Sequence, residues 1–397
     1  MSIVTIDNLY LKKGKEKSLN RLHPWVFSGA LQSVPSTCKE GDMVKLFDSE
    51  NNFIAFGHYQ NSSLAIRIFT FIEEEINQDF WQKRIAQAIN IRKKIGLINN
   101  EHTNCFRLVH GEGDDLPGLI IDFYNGIAVI QCHSVGMYLI KEIIAQVLKN
   151  ELGDSLIAVY NKSEGTLPFK GGVEAKNEFL YGSQTQIDVI ENDVKFSIDI
   201  VEGQKTGFFI DQRENRELLA KYSKDKKVLN TFCYSGGFSI YANKAGASLV
   251  HSVDSSAKAI ALTENNYKLN FSEKINHESY TEDVMSYLNN MTETYDVIVL
   301  DPPAYAKHNS ALDNALKGYT RLNRKAMEKI ASGGILFTFS CSQVVTKEDF
   351  KRAIFTASLQ SGRNVKILHQ LHQPADHPIS IFHPEGEYLK GLVLYVE

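Results

Sequence analysis

From about residue 195 onward the chain alternates short Val/Ile/Leu-rich runs with helical patterns, and that rhythm constrains the fold more than any other feature. The runs are KVLNTF (227–232), LVHSVD (249–254), HESY (277–280), YDVIVLD (295–301), GILFTFS (334–340) and KILHQL (366–371). Strands that are apolar on both faces must be covered on both, and helical crossovers between them make the sheet parallel. An α/β domain with a mostly parallel sheet is therefore predicted for this half. Ligands of such sheets bind beyond the carboxyl ends of the strands, so the strand ends are where chemistry is to be sought.

Ahead of it lie two differently patterned sections. Residues 1–75 hold short alternating runs, MVKLFDS, FIAFGHY and LAIRIFTF, broken by turn residues, which predict a small β-rich barrel. The acidic EEE at 73–75 marks a boundary, a helix is predicted over 78–97, and 76–190 reads as a mixed α/β section. The predicted domains are thus 1–75, 76–190 and 191–397. Within the middle section Glu112, Asp114 and Asp115 form a carboxylate cluster that is read as a solvated turn.

The 397 residues suffice for two or three domains, and 43% hydrophobic with 23% charged is ordinary for a globular protein. No apolar run reaches the length of a membrane span, and the N-terminus lacks the pattern of a signal peptide, so no membrane contact and a cytoplasmic location are expected. The five scattered cysteines form no C-x-x-C pair, and no H-E-x-x-H stands among the twelve histidines, so neither disulfides nor a metal site is expected. A net charge of −4 does not advertise nucleic acid. Two basic runs with a nearby aromatic, 11–25 and 81–96, are nevertheless either solvated faces or, taken together, a nucleic-acid contact.

The strand ends are rich in candidate groups. NTFCYSGGFS turns at Gly236-Gly237 into a helix whose N-terminus favours an anion. The second strand ends at Asp254, able to accept both hydroxyls of a ribose or to cap the next helix, and the third leads to Asp283, placed for an adenine amino group. These describe an adenosine pocket without the G-x-G-x-x-G of nicotinamide enzymes, which leaves a nicotinamide oxidoreductase a distant alternative. The fourth strand ends in LDPPAYAK, where two prolines hold the carboxylate of Asp301, with Tyr305 at an offset suited to a flat heterocycle. The fifth delivers Cys341 between two serines. First, fourth and fifth strands are expected as neighbours, so Asp301 and Cys341 should face one cavity. Cys38, Cys105, Cys132 and Cys233 are read as small apolar filler.

The ordered set GQKTGFFIDQRENR (203–216), VLNTFCYSGGFS (228–239), VDSS (253–256), LDPPAYAK (300–307) and TFSCSQ (338–343) resembles the bacterial large-subunit ribosomal RNA cytosine-C5 methyltransferases of the class I, S-adenosylmethionine-dependent type. LNRLHPWVFSGAL (19–31) resembles the start of that family's PUA RNA-binding domain, and FRLVHGEGDDLPGLIIDFY (106–124) its central domain. The resemblance implies a PUA domain, a central α/β domain and a Rossmann-like domain with a seven-stranded sheet. It also implies S-adenosyl-L-methionine as cofactor, ribosomal RNA (23S or a pre-50S particle) as partner, and a homodimer. By motif it places Asn230, Phe232, Ser235, Gly236, Asp254 and Asp283 at the cofactor, with Gln204, Gln212 and Arg213 toward its methionine end. Cys341 is then the nucleophile adding to cytosine C6 and Asp301 the group holding the base edge, with Pro302, Tyr305 and Lys307 beside the substrate. The sulfonium or Lys307 is expected to supply positive charge for the thiolate. Many other RNA cytosine-C5 methyltransferases carry a second cysteine right after the Asp-Pro motif; here Pro303-Ala304 occupies that place, as the resemblance to this branch implies. The loop 373–388, with His377 and His383, is expected either to line the base pocket or to be an ordered proline-rich connection. An N-methyltransferase acting through Asp301 and Tyr305 and a non-catalytic ribosome assembly factor remain the other readings.

Overall fold

A computed structural model describes residues 6–168, 172–273 and 275–397. The chain forms two compact units, one of residues 1–189, 198–208 and 375–386, the other of 190–197, 209–374 and 387–397.

The first unit contains two five-stranded sheets. One runs in the order Asp7–Tyr10, Met43–Phe47, Phe53–Tyr59, Leu64–Thr70 and Trp25–Phe27, and encloses Leu9, Leu46 and Ile66, all with no exposed surface. The other runs Asn177–Tyr181, Ala158–Lys162, Ile127–Cys132, Leu119–Tyr124 and Cys105–His110. Helices Gln78–Lys94 and Lys141–Leu152 share its core. Asn77 caps the first of these, its side chain accepting from Phe80 N at 3.1 Å.

The turn after Cys105–His110 departs from the solvated reading. Asp114 is buried and accepts from Arg92 Nη1 at 2.5 Å and Nη2 at 2.8 Å and from His110 N at 2.6 Å. Glu112 accepts from Trp25 Nε1 at 2.8 Å and Arg67 Nη1 at 3.2 Å. Only Asp115 matches the expectation, its side chain 66% exposed beside Arg84. The cause is that cations from elsewhere in the unit close over the turn, which a local pattern does not show. For the same reason the basic run 81–96 is not wholly a solvated face: Trp81 and Arg92 are buried.

Residues 375–386 belong to this first unit. The carbonyl of Asp376 accepts from Arg92 Nη2 at 2.6 Å, and its carboxylate accepts from Arg107 N at 2.9 Å. His377 is buried, with Nδ1 3.1 Å from Asp376 Oδ1, and the ring of His383 packs 4.3 Å from that of Trp25. Of the two expectations for this loop, the ordered connection describes how these histidines are held.

The second unit is a seven-stranded sheet in the order His277–Thr281, Leu249–Asp254, Lys227–Thr231, Val297–Leu300, Gly334–Ser340, Lys390–Val396 and Val365–Leu371. Six strands run in one direction, and Lys390–Val396 runs antiparallel to both its neighbours. Helices cover both faces and bury Leu229, Ile298 and Leu300 on one side and Val228, Val299 and Phe337 on the other. The first, fourth and fifth predicted strands are adjacent, as their expected order required.

Breaking a buried ion pair from one side strands the other charge in an apolar interior. Asp114→Ala is expected to lower stability by about 3–5 kcal/mol, seen as a large fall in urea midpoint. Asp115→Ala, next in sequence but solvated, should leave the midpoint almost unmoved.

Candidate active site

Asp301 and Cys341 emerge from adjacent parallel strands paired in the register Leu300↔Thr338. Cys341 Sγ lies 4.0 Å from the carbonyl oxygen of Pro302. The serines flanking the cysteine are both fully buried. Ser340 Oγ donates to Tyr319 Oη at 2.9 Å, and Ser342 Oγ lies 3.2 Å from the same hydroxyl. Ala306 N donates to Ser342 Oγ at 3.3 Å. Both small residues thus tie the strand end to helix Leu312–Lys329 and to the Asp-Pro-Pro loop, which fixes the backbone that carries the thiol. Cys341 is half-buried, whereas Cys105, Cys132 and Cys233 are buried. Burial pushes the thiols of Cys132 and Cys233 up to about 12, and Cys38 reaches about 12 through burial and its neighbours Asp7 and Asp42. None of the three is ionised at neutral pH.

Asp301 accepts from Gln212 Nε2 at 3.0 Å, and Gln212 Oε1 accepts from Asn215 Nδ2 at 2.6 Å. Gln212 and Arg213 are buried at the start of helix Arg213–Ala220. Burial, reinforced by the negative charge of Asp211, pushes the Asp301 carboxyl up to about 7 against the opposing pull of Gln212 and Arg216. A carboxyl titrating there can act as donor or acceptor at neutral pH.

The turn after Lys227–Thr231 is more constrained than its glycines suggested. Phe232 and Tyr234 both adopt left-handed backbone (φ 54° and 46°), as does Gly236 (φ 75°). Non-glycine residues in that region are strained and persist only where surroundings impose them. Here Cys233 N donates to Val253 O at 3.1 Å and Tyr234 N to Asp254 Oδ2 at 3.1 Å. Thr263 Oγ1 donates to Tyr234 O at 3.0 Å, and Asn266 Nδ2 to Ser235 O at 2.9 Å. At Gly236 a Cβ would stand 2.7 Å from Thr263 Cγ2, so only glycine fits.

Asn230 is buried and its Nδ2 donates to Ser239 Oγ at 2.9 Å. Its Oδ1 has no hydrogen-bond partner among the described residues. An orphaned buried acceptor calls for a donor from outside the protein. Asp254 accepts from Tyr234 N and, at 2.9 Å, from Ser256 N; the cap of the following helix is Ser256. Asp283 caps helix Val284–Asn290 through Ser286 N at 2.9 Å. It also lines a cleft of about 400 Å³ with Phe232, Met285, Tyr305 and Arg321. That volume suits a small organic ligand.

Tyr305 packs against Tyr319, with ring centroids 4.7 Å apart, and Lys307 is exposed. Sequence reasoning passed over Lys390, which is buried and whose Nζ donates to Ser342 O at 2.6 Å. Its signal lay in a lysine opening an otherwise apolar final strand, KGLVLYV.

A seven-stranded sheet of this order, with an orphaned acceptor, paired strand-end acids and a glycine turn at one edge, defines a class I methyltransferase fold. Residues 107–380 match the S-adenosylmethionine-dependent methyltransferase family and residues 9–71 a PUA-like domain. The chain belongs to that methyltransferase family, and its cofactor is S-adenosylmethionine. It is 39% identical over 395 residues to the ribosomal RNA large subunit methyltransferase I of Aeromonas hydrophila subsp. hydrophila, spanning 98% of each chain. It is also 39% identical to the protein of that name from Shewanella frigidimarina, over 97% of this chain and 98% of the relative. The crystal structure of SMU.776 complexed with SAH has the same fold, with a TM-score of 0.85 at 23% identity over 98% of this chain and 100% of that one.

The Asp301 carboxyl holds its proton to about 7 in the native state, against an ordinary 3.8. Between those values the folded form is protonated while the unfolded chain is ionised, so stability falls as pH rises through the window and levels off above it. Asp301→Asn is uncharged throughout. Its urea midpoint is expected to gain on the wild type steadily between about pH 4 and pH 7. A margin independent of pH would mean that Asp301 ionises normally.

Proposed function

We propose that the protein methylates C5 of a cytosine in large-subunit ribosomal RNA, with Cys341 as nucleophile and Asp301 holding the base. The observation that supports this most is the delivery of a half-buried thiol and a proton-retaining carboxyl from two neighbouring strand ends. Cytosine C5 is a weak nucleophile. Thiolate addition at C6 converts the ring to an enamine-like species whose C5 is reactive. A protonated Asp301 can donate to N3 while its other oxygen accepts from the exocyclic amine, and both contacts stabilise charge as the adduct forms.

The cofactor supplies an electrophilic methyl group. Asn230 Oδ1 is suited to accept from an ammonium, Asp254 to accept from ribose hydroxyls, and Asp283 and Phe232 to border the adenine in the cleft they line. Ser235, Gly236, Gln212 and Arg213 shape the approach to the methionine end. Pro302, Tyr305 and Lys307 flank the base. The target must leave its stack to enter, which favours a loop or single strand.

Support for an RNA partner comes from the names of the relatives, the PUA-like match and a basic groove. That groove, of about 440 Å³ between helices Leu312–Lys329 and Lys347–Ser361, is lined by Lys317, Arg321, Arg324 and Arg352 with a single acid, Asp349. Such a substrate implies a cytoplasmic enzyme. The homodimer expected from the resemblance has a candidate face in exposed Phe355, Leu359, Ile367 and Leu368.

RNA containing 5-fluorocytidine tests the reaction, because fluorine cannot leave C5 as a proton does. Wild type with S-adenosylmethionine should give a denaturant-stable RNA complex and Cys341→Ala none. Methyl transfer to ordinary RNA by both proteins, without a complex in either, would eliminate the thiol route and favour transfer to an amino group. Lys317→Gln with Arg352→Gln should raise the KM for RNA and lower the slope of log Kd against log salt by about 1–2. Cofactor affinity should stay unchanged.

A further inference from the structure

Lys390 opens the strand Lys390–Val396 and pairs with Ser340 across the sheet. It is 5% exposed. Among the described residues its ammonium has one hydrogen-bond acceptor, the carbonyl of Ser342 at 2.6 Å. Ser340 and Ser342 are the two neighbours of Cys341, so the lysine is held to the peptide on each side of the thiol. The groups that face it are the Cys341 thiol, Glu387 and Lys347, and the last two pair with each other at 2.5 Å.

A buried ammonium with one neutral acceptor is an incomplete arrangement. Burial draws the Lys390 pKa down to about 8, with Lys347 acting in the same direction, while Cys341 and Glu387 oppose the fall. Because Glu387 is engaged by Lys347, an ionised Cys341 is the anion best placed to balance Lys390. Neither source of positive charge expected from the sequence has this placement. Lys307 is exposed, and a sulfonium is present only while cofactor is bound.

We propose that Lys390 is the counter-charge of Cys341, a positioning residue that holds the nucleophile as a thiolate before RNA arrives. The inference rests on the reading of Cys341 as nucleophile. In the sequence of events, the thiol proton passes to water and the thiolate forms beside the ammonium. The S–C6 bond then forms as the C5=C6 pair moves toward C5. That pair forms the C5–CH3 bond as the methyl–sulfonium bond breaks, the electrons of the broken bond staying on the cofactor sulfur. When a base takes the C5 proton, the C5–H pair restores C5=C6 and expels the thiolate to its place beside Lys390.

The test is the pH dependence of iodoacetamide alkylation at Cys341 in the full chain without RNA, with the modified peptide quantified by mass spectrometry. Wild type should show an apparent thiol pKa below the ordinary value near 8.5. Lys390→Met should raise it by at least one pH unit, slowing alkylation at pH 7 about tenfold or more while the rates converge at high pH. Lys390→Arg keeps the charge and should keep the low value. An ordinary or raised thiol pKa in wild type overturns the proposal without any variant, as does a folded Lys390→Met protein with an unchanged profile. The assay is independent of substrate. A Lys390-dependent thiolate together with no adduct on 5-fluorocytidine RNA would leave the counter-charge standing and remove the cytosine-C5 reading.

Discussion

The catalytic unit depends on the parallel pairing of Val297–Leu300 with Gly334–Ser340. All four residues of the shorter strand are buried and apolar, and six of the seven in the longer are buried, Leu336, Phe337 and Phe339 among them, so that pair lies at the centre of a sheet covered on both faces. Because the strands are parallel, their carboxyl ends point the same way, with Leu300 opposite Thr338 and the longer strand running two residues further to Ser340. Asp301 and Cys341 are what follow. A slip of one residue would turn every core side chain to the other face, so the burial that holds the sheet also sets the spacing of Asp301 and Cys341.

A second constraint acts from beneath the turn that follows Lys227–Thr231. Arg216 is buried and forks onto Glu191, with Nε–Oε1 at 2.8 Å and Nη2–Oε2 at 2.7 Å. Tyr241 Oη donates to Glu191 Oε1 at 3.0 Å. The aliphatic part of Arg216 lies where a Cβ on Gly237 would approach to 3.0 Å. A bidentate pair of this kind defines an orientation as well as an attraction. Helix Gly237–Lys244 and the strained residues before it are thereby seated on a rigid polar support.

Much of this was legible in the sequence because it follows from local pattern. The apolar strands, their crossovers and the residues at their ends read directly, and the adjacency that brings Asp301 to Cys341 follows from the order of such sheets. What escaped depends on partners distant in sequence. Asp114 reads as a solvated turn acid until Arg92 is seen to cover it, 22 residues away. Lys390 draws no notice in the sequence, because its acceptor, the carbonyl of Ser342, lies 48 residues earlier. Phe232 and Tyr234 carry no signal at all, since left-handed backbone is betrayed by glycine and hidden by aromatics. The preference for an amino-acid type is local; the burial of a charge is not.

The course of the chain has a consequence for how the molecule is made. The first unit takes residues 375–386 as well as its N-terminal stretch, and the guanidinium of Arg92 reaches the carbonyl of Asp376 across 284 positions. Contacts of such separation form late and fold slowly. During synthesis the N-terminal sheets can assemble early, yet Arg92 lacks one of its buried acceptors until residue 376 has emerged. A nascent chain stalled anywhere before residue 376 would hold an unfinished N-terminal core, and the two units, though compact, are not separable genetic modules: cutting between them removes an internal part of the first.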